Sequence, residues 1–558
     1  MTDRTGTESA SEGATPERPK GMALIATAFS DRRTLAMLLL GFGAGLPVAL
    51  LIGTMNAWLT EAGVTAATIG VLSWIGLFHA FKFLWSPIVN ASLPVLGKLG
   101  LRRGWLILLQ AVIIAGVAMV AVSHPETGVL GPLAAGAALG AFASATQDIV
   151  IDVWRIEIAT PEVPVDLLSA IYQMGFRSAS LAGGAGALFL SGAIGWQATF
   201  LVGAATFILP VIGTLIAPEP QRPPEEAIAQ QRRGSSLQRN LMLGVVLAAW
   251  AWAAFQIVSF MVRAISETPA PSAGTFTSTV GPWIITAAVL LPCALAAILA
   301  RRPVHIEKPE GTVQVTASRL FNAVLAPLTE LMGRLGWGAL LVLALILTYR
   351  FTDGVWGAFA YPFYMGSDGG ALGHTAAEVA VASKIFGIVM TIVGIALGGW
   401  MLIVIGRMAT LLIGAILAAA TNLLFADLAM GAPVIGGLMS VTGLYHLFGL
   451  FGVNEGMARL MFAISGENIA AGLAGAAFVA YLSALASRLY GAVQFAVFTS
   501  LALLIGTFGR GALGEMIDNQ GFAPVFILTA WLGGVAVVLC LLEWVRTRHE
   551  ARKELTSR

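Results

Sequence analysis

Apolar runs of twenty or more residues recur along almost the whole chain, and that feature decides what the sequence can fold into. Taken as a helix, a run of that length crosses the roughly 30 Å hydrocarbon layer of a bilayer. Fourteen can be placed, near residues 35–59, 67–91, 104–123, 129–154, 166–192, 196–217, 241–263, 281–300, 339–364, 376–403, 408–430, 457–486, 490–513 and 523–545. The charges obey the same division. Of 62 charged side chains, 33 fall in residues 1–33, 218–240, 301–335 and 543–558, leaving 29 for the other 451 positions. With 57% hydrophobic and 11% charged residues, the chain is excluded from ordinary soluble enzymes, whose charged fraction is about 25%.

A net charge of +2 is too balanced for a nucleic-acid partner held by phosphate neutralisation. Cys293 and Cys540 both lie in apolar runs and read as small packing residues, and the six scattered histidines form no metal motif, so neither a disulfide framework nor a metal site is expected. The first twenty residues lack the apolar core of a cleaved signal. They read as a disordered leader, and the first span has to target the chain to the membrane.

The runs fall into six, two and six. The expected organisation is a cytoplasmic N-terminus at 1–33, a six-helix bundle at 34–217, a linker at 218–240, an inserted transmembrane pair at 241–300, a second linker at 301–336, a six-helix bundle at 337–545 and a tail at 546–558. In the second linker Leu320, Val324, Leu328, Leu331 and Met332 repeat at helical spacing, predicting an amphipathic helix on the membrane interface or packed against its own bundle. Basic residues collect in alternate loops when both termini are cytoplasmic: 19 lie in the four charged segments, and Lys98, Arg102, Arg103, Arg155, Arg407 and Arg488 lie at span ends on the same side. Counting the apolar stretch 432–456 as a span would move the basic tail to the outside, so it reads as an outer or re-entrant loop. Six-plus-six spans with both termini inside is the arrangement of the major facilitator superfamily, which implies an all-α membrane protein with a cavity between two bundles.

An ionisable side chain inside a span costs at least a few kcal/mol and so lines a cavity or is paired. In the first bundle these are Lys82, with His79 one turn before it, Asp148, Asp152 and Arg177. Asp148, Asp152 and Arg155 share one helix face and suggest a gate latch closed by Arg102 or Arg103. The second bundle supplies Arg350, Asp353, Lys384, Glu467 and Asn468. Arg350 and Asp353 can neutralise each other at i, i+3. Lys82, Arg177 and Lys384 are deep cations spread over both bundles, suited to an anionic solute. Trp58, Trp85, Trp154, Trp356 and Tyr361 are aromatics that could stack on sugar rings, Trp58 and Trp85 foremost, with Gln147 and Asn468 as polar substrate contacts. Glu467 has only apolar residues at the adjacent turns, which makes it the first candidate for a coupling proton, ahead of Asp148 and Asp353.

Several segments are specific enough to compare with a family. GFGAGLPVALLIGTMNAWLTEAGVTAATIG, FKFLWSPIVN, RRGW at 102–105 and SATQDIVIDVWRIEI at 144–158 resemble the AmpG-type muropeptide permeases, and so do AAEVAVASKIFGIVMTIVGIALGGWM, ENIAAGLAGAAFVAYL and QFAVFTSL in the second bundle. The likeness runs in register through both bundles. It implies a proton-driven symporter of the bacterial inner membrane that imports N-acetylglucosaminyl-1,6-anhydro-N-acetylmuramyl peptides for cell-wall recycling, with links to β-lactam resistance. It implies no cofactor, and a monomer in the bilayer is expected. Two departures stand out: Asn90 replaces an Asp usual in the family, and the extra pair at 241–300 sits between the bundles instead of after the twelfth span. That pair reads as structural and dispensable for transport. A permease for another sugar or peptide would fit the same charges. A pigment-assembly scaffold would not need midplane charges in both bundles, and no nucleophile with a usable base marks a membrane enzyme.

Overall fold

The computed structural model describes residues 31–556 apart from 83–84, 86–88, 90–98, 161–162, 164, 220–229, 234, 268, 308–311 and 486–490. Asn90, Lys98, Arg488 and residues 1–30 lie outside the described residues. A bilayer core offers no water to an open backbone, so a spanning chain satisfies its own amides as helix.

In chain order the helices are α1 (Arg32–Glu61), α2 (Ala66–Phe81), α3 (Leu101–Ala121), α4 (Gly131–Glu157), α5 (Val165–Leu181, continued by Ala182–Gly186 and Ala187–Ile194) and α6 (Trp196–Ile216). Then come α7 (Ser236–Ser266), α8 (Gly281–Ala300) and α9 (Thr312–Leu335). The last group is α10 (Gly338–Met365), α11 (Ala376–Val404), α12 (Arg407–Ala429), α13 (Pro433–Thr442), α14 (Leu444–Gly449), α15 (Glu455–Leu485), α16 (Gly491–Phe508, continued by Arg510–Gln520) and α17 (Phe522–Thr556). Among the described residues twelve helices are long and apolar enough to cross a membrane. The runs expected at 67–91 and 166–192 form α2 and α5, which are helical but fall outside those twelve; α2 is described over Ala66–Phe81 with a 3₁₀ turn at Ser73–Gly76, and α5 contains a π segment at Ala182–Gly186. The ambiguous stretch 432–456 forms α13 and α14, ten and six residues long and too short to span.

Helix starts follow local chemistry. The Thr65 hydroxyl accepts from the Thr68 amide at the head of α2, and Thr375 with Glu378 forms a reciprocal capping box at the head of α11. Contacts between helices rest on glycine. Lipid tails give packed helices little hydrophobic drive, so close backbone approach carries the association. A Cβ at Gly41 of α1 would stand 2.1 Å from the Tyr172 carbonyl oxygen of α5, and one at Gly175 of α5 the same distance from the Leu38 oxygen of α1. In α11, a Cβ at Gly394 would stand 2.2 Å from the Ile469 oxygen of α15.

The amphipathic helix appears as α9, and it packs against its own bundle: Val324, Leu328, Leu331 and Met332 are buried in one apolar cluster with residues of α7, α8 and α16. The linkers on either side of the inserted pair meet each other. Strand β1 (Gln230–Arg233) pairs antiparallel with β2 (Val304–Glu307), with Gln230 opposite Glu307, and so ties the two ends of the insertion together. The pair itself lies across the two bundles: Trp74 of α2 is in contact with Phe260 of α7, Phe276 of the turn and Phe508 of α16. The Glu515 carboxylate of α16 accepts from the Ser272 hydroxyl at 2.8 Å and the Gly274 amide at 2.6 Å, fixing the turn between α7 and α8.

At the end away from the termini the two bundles are sealed. Asp518 of α16 accepts from the Ala66 and Ala67 amides at the head of α2, both at 2.8 Å. Next to it, Gly514 lies against the Ala66 carbonyl and Gly70 against that of Arg510. Within each bundle, the Val165–Leu181 stretch of α5 packs on α1 and the Gly387–Val404 stretch of α11 on α15.

The α1–α5 crossing gives a direct test of glycine packing. Gly41→Ala forces a methyl into a backbone carbonyl and should lower stability by about 1–3 kcal/mol, whereas Gly244→Ala, on a helix face with open space, should be neutral or slightly stabilising. Thermal unfolding of the two variants in detergent reads the difference.

Candidate functional site

Three π-helical segments converge where the bundles meet. A π segment adds a residue to a helical turn, throws the backbone pairing out of step and is common at functional positions. In α1 it is Val48–Thr54, directly after Pro47, whose missing N–H already interrupts the ladder. In α5 it is Ala182–Gly186, a stretch without a side chain larger than methyl, and in α11 it is Ala380–Phe386. The first packs on the second and the second on the third. The Thr54 hydroxyl donates to the Gly183 carbonyl at 2.5 Å, and the Lys384 stem crosses from α11 to lie 3.3 Å from where a Cβ on Gly184 would stand.

Lys384 carries the only candidate cation in that junction segment. Its ammonium lies 5.1 Å from the ring centre of Tyr361, which is buried, and no carboxylate within 4 Å is found for it among the described residues. Glu467 of α15 is nearby: Lys384, Arg350 and Asp353 are the charged groups whose fields act on it. Its direct partner is neutral. Asn468 donates to the Glu467 carboxylate at 2.7 Å and to the Ile464 carbonyl at 3.0 Å, while its oxygen accepts from Thr391 at 2.7 Å. Asn468 is therefore occupied as a bracket between α11 and α15. Arg350 and Asp353 close on each other at 2.7 Å at the break between the two halves of α10, with the Arg350 guanidinium against Gly475.

In the first bundle Lys82 is already committed. Its ammonium pairs with Asp148 at 3.2 Å and Asp152 at 3.7 Å, so the deep cation assigned to an anionic solute sits instead between two carboxylates of α4. Arg155 closes on Asp152 at 3.1 Å and lies over the Tyr172 ring of α5. The latch expected between this trio and Arg102 or Arg103 is not how those arginines are placed. Arg102 grips Glu157 at 2.7 and 2.9 Å, and Arg103 donates to the Ala217 carbonyl. The reason is depth: the head of α3 meets the last turn of α4 and the end of α6, beyond the level of Asp152, where Glu219 also accepts from the Arg102 and Arg103 amides.

Arg177 is exposed on α5 and makes no ion pair among the described residues. Trp58 is core: it stacks on Trp196 at 6.4 Å and meets Phe200 at 5.4 Å, binding the end of α1 to α6 rather than facing a solute. Trp85 donates to the Thr146 hydroxyl at 3.1 Å and rests on Phe142. Gln147 is fully buried, donating to the Gly43 carbonyl at 3.0 Å. Among the described residues no group of three His, Cys, Asp or Glu could hold a metal ion. A cavity of about 490 Å³ lies away from this junction. It lies between α2, α4 and the inserted helices α7 and α8, lined by Trp74, Phe78, Ala134, Trp250, Ile257 and Met261 among others, with no ionisable side chain.

Sequence reading named Tyr361 only as a ring that could stack on a sugar, and it missed Thr391, Tyr172 and Arg510. The last is a buried arginine just beyond an apolar run, in TFGRGALGE. Its signal was the glycine on each side, which marks a place where backbones approach.

Twelve candidate spans among the described residues, with ionisable side chains held among them, are the anatomy of a multi-pass membrane protein. Solved structures agree on the fold. The chain is similar to a peptide transporter POT (TM-score 0.54, 13% identity, 95% of each chain covered) and to the nucleoside transporter NupG (TM-score 0.53, 12% identity, 92% of this chain and 99% of the other). The relatives are more specific. The chain is 27% identical over 515 residues to the anhydromuropeptide permease of Escherichia coli K12, covering 92% of this chain and 80% of that one. It is 24% identical over 521 residues to the putative transporter AmpG 4 of Rickettsia felis, covering 93% and 98%. A family model described as acetyl-coenzyme A transporter 1 matches residues 34–128. The resemblance to AmpG-type permeases read from its motifs thus extends over nearly the whole chain.

The Lys82 cluster yields a test of pairing. Lys82→Met leaves Asp148 without its contact cation and Asp152 with Arg155 alone, and should cost on the order of 3 kcal/mol. Adding Asp148→Asn should recover most of the loss. A double variant no more stable than the single would show that the ion pair contributes little; thermal unfolding in detergent decides.

Proposed function

We propose that the protein is a proton-coupled secondary transporter that imports N-acetylglucosaminyl-1,6-anhydro-N-acetylmuramyl peptides by alternating access. In this reading α1–α6 and α10–α12 with α15–α17 are two six-helix bundles, α7 and α8 are an added pair, giving fourteen spans, and both termini face the cytoplasm. The observation that carries the substrate class is the similarity to the anhydromuropeptide permease across 92% of the chain. The site chemistry supports it. The stem peptide of such a solute carries carboxylates, and Lys384 and Arg177 are cations without a contact ion pair among the described residues. Lys82 acts differently here, as the centre of a charge cluster that holds α2 to α4.

Glu467 carries the proton. Asp148 and Asp353 are each in contact with a cation, which ties their charge to a fixed partner. Glu467 has a neutral amide in that place, and it stands among Lys384, Arg350 and Asp353, so that a proton on Glu467 and an anion on Lys384 act on one electrostatic unit. That is one simple form of coupling.

Proteoliposomes loaded at neutral pH and placed in an acidic medium should accumulate labelled anhydro-disaccharide peptide. Glu467→Gln should abolish accumulation against a gradient while leaving exchange down a gradient intact. Concentrative uptake by the Gln variant would put the coupling site elsewhere. No uptake of the anhydro-disaccharide by the unaltered protein, alongside uptake of an unrelated sugar or peptide, would overturn the substrate assignment.

A further inference from the structure

Arg510 is the charged group that the reading so far leaves unused. It is 8% exposed, and its Nε donates to the Gly354 carbonyl of α10 at 2.6 Å. Among the described residues it makes no ion pair and no second hydrogen bond, so one of five guanidinium donors is engaged. A buried guanidinium serving only structure is expected to meet a carboxylate or to spend its donors on carbonyls. This one presents an open planar fork, and its Nη2 lies 3.2 Å from where a Cβ on Gly357 would stand.

The place is as telling as the partners. Gly354, Gly357 and Tyr361 lie along one face of α10, the seven residues covering about 10 Å. Arg510 reaches the near end of that face and Lys384 the far end, over the Tyr361 ring. The Tyr361 hydroxyl on this face is buried and has no hydrogen-bond partner among the described residues. The same face meets the first bundle, since the Asn56 side chain reaches the Ala358 carbonyl at 3.4 Å. Gly514 and Asp518, which seal the bundles, come one and two turns further along α16 than Arg510. Two cations and an unpartnered hydroxyl thus line one strip directly under the seal.

We propose that Arg510, Tyr361 and Lys384 form a carboxylate-binding subsite for the transported solute, Arg510 clasping a carboxylate through its open fork and Tyr361 donating its hydroxyl. The choice of a carboxylate-bearing solute rests on the transport reading above. The geometry of the strip does not. A planar fork matches the two oxygens of a carboxylate, and the second cation one strip-length away suits a solute with two acidic groups.

The test uses the full chain in lipid nanodiscs and follows ligand-induced thermal stabilisation. The probes are N-acetyl-L-alanyl-D-glutamate as free acid, its diamide, and the anhydro-disaccharide with and without a stem peptide. In the unaltered protein the free acid should bind at least tenfold more tightly than the diamide. Arg510→Gln should abolish that preference, Arg510→Lys should keep part of it, and Tyr361→Phe, which removes a hydroxyl bonded to nothing in the protein, should reduce it severalfold without changing the unliganded melting temperature. A preference that survives in Tyr361→Phe and Arg510→Lys undiminished, or an unaltered protein that does not distinguish acid from diamide, overturns the subsite. If the free acid binds as described but the anhydro-disaccharide adds nothing, the subsite stands and the muropeptide assignment falls.

Discussion

A charge inside a bilayer has to be paired or has to face a polar space, because hydrocarbon solvates neither ion nor orphan donor. The arrangement of this protein follows from how it distributes those two solutions. Lys82 with Asp148 and Asp152, Arg102 with Glu157, and Arg350 with Asp353 are paired, and each pair fastens helices or a helix break. Lys384, Glu467 and Arg510 are not closed by an opposite charge within contact distance among the described residues, and all three belong to the second bundle. Among the described residues the first bundle thus holds its buried charges in pairs, with Arg177 the exposed exception, while the second bundle carries three groups left open.

Much of the architecture was legible because hydropathy records it directly. Twelve of the fourteen expected runs correspond to helices long and apolar enough to span, and the periodicity of Val324, Leu328, Leu331 and Met332 marked the buried face of α9. What that face packs against was not legible, since helical spacing names a face and never its neighbour. The same limit governed the site. The pairing of Lys82 with Asp148 joins residues 66 positions apart on different helices. A search along one helix found the Arg350–Asp353 pair but could not find that one. Trp58 misled for a related reason: an indole near a span end looks the same in sequence whether it faces a sugar or Trp196.

The π segments left no clear trace either. Their effect is an offset of one residue in backbone pairing, which polarity patterns do not register, although Pro47 and the AGGAG stretch supply the local means. They matter because packed helices with regular ladders resist deformation, whereas a segment already out of register can absorb a small rotation. Three of them meet at the level of Lys384, below the seal made by Asp518 and the α2 amides. In the alternating-access reading proposed above, the place where the bundles would pivot is also the place where these three helices depart from regular pairing.

The inserted pair bears on that pivot unequally. It is fastened to α16 by directional bonds, the Glu515 carboxylate holding Ser272 and Gly274, and it is tied at its ends by the β1–β2 ribbon. Toward α2 and α4 its contacts are apolar, and a cavity of about 490 Å³ lies on that side. Hydrogen bonds fix orientation and cost free energy when broken away from water, whereas apolar surfaces in a bilayer exchange one another for lipid at little cost. When one bundle rocks against the other, the physics assigns the pair to the second bundle as a unit and makes its face toward α2 and α4 the sliding surface. The aromatic contact of Trp74 with Phe260, Phe276 and Phe508 then sits on that surface, where ring faces can shift past one another while Glu515 keeps its bonds.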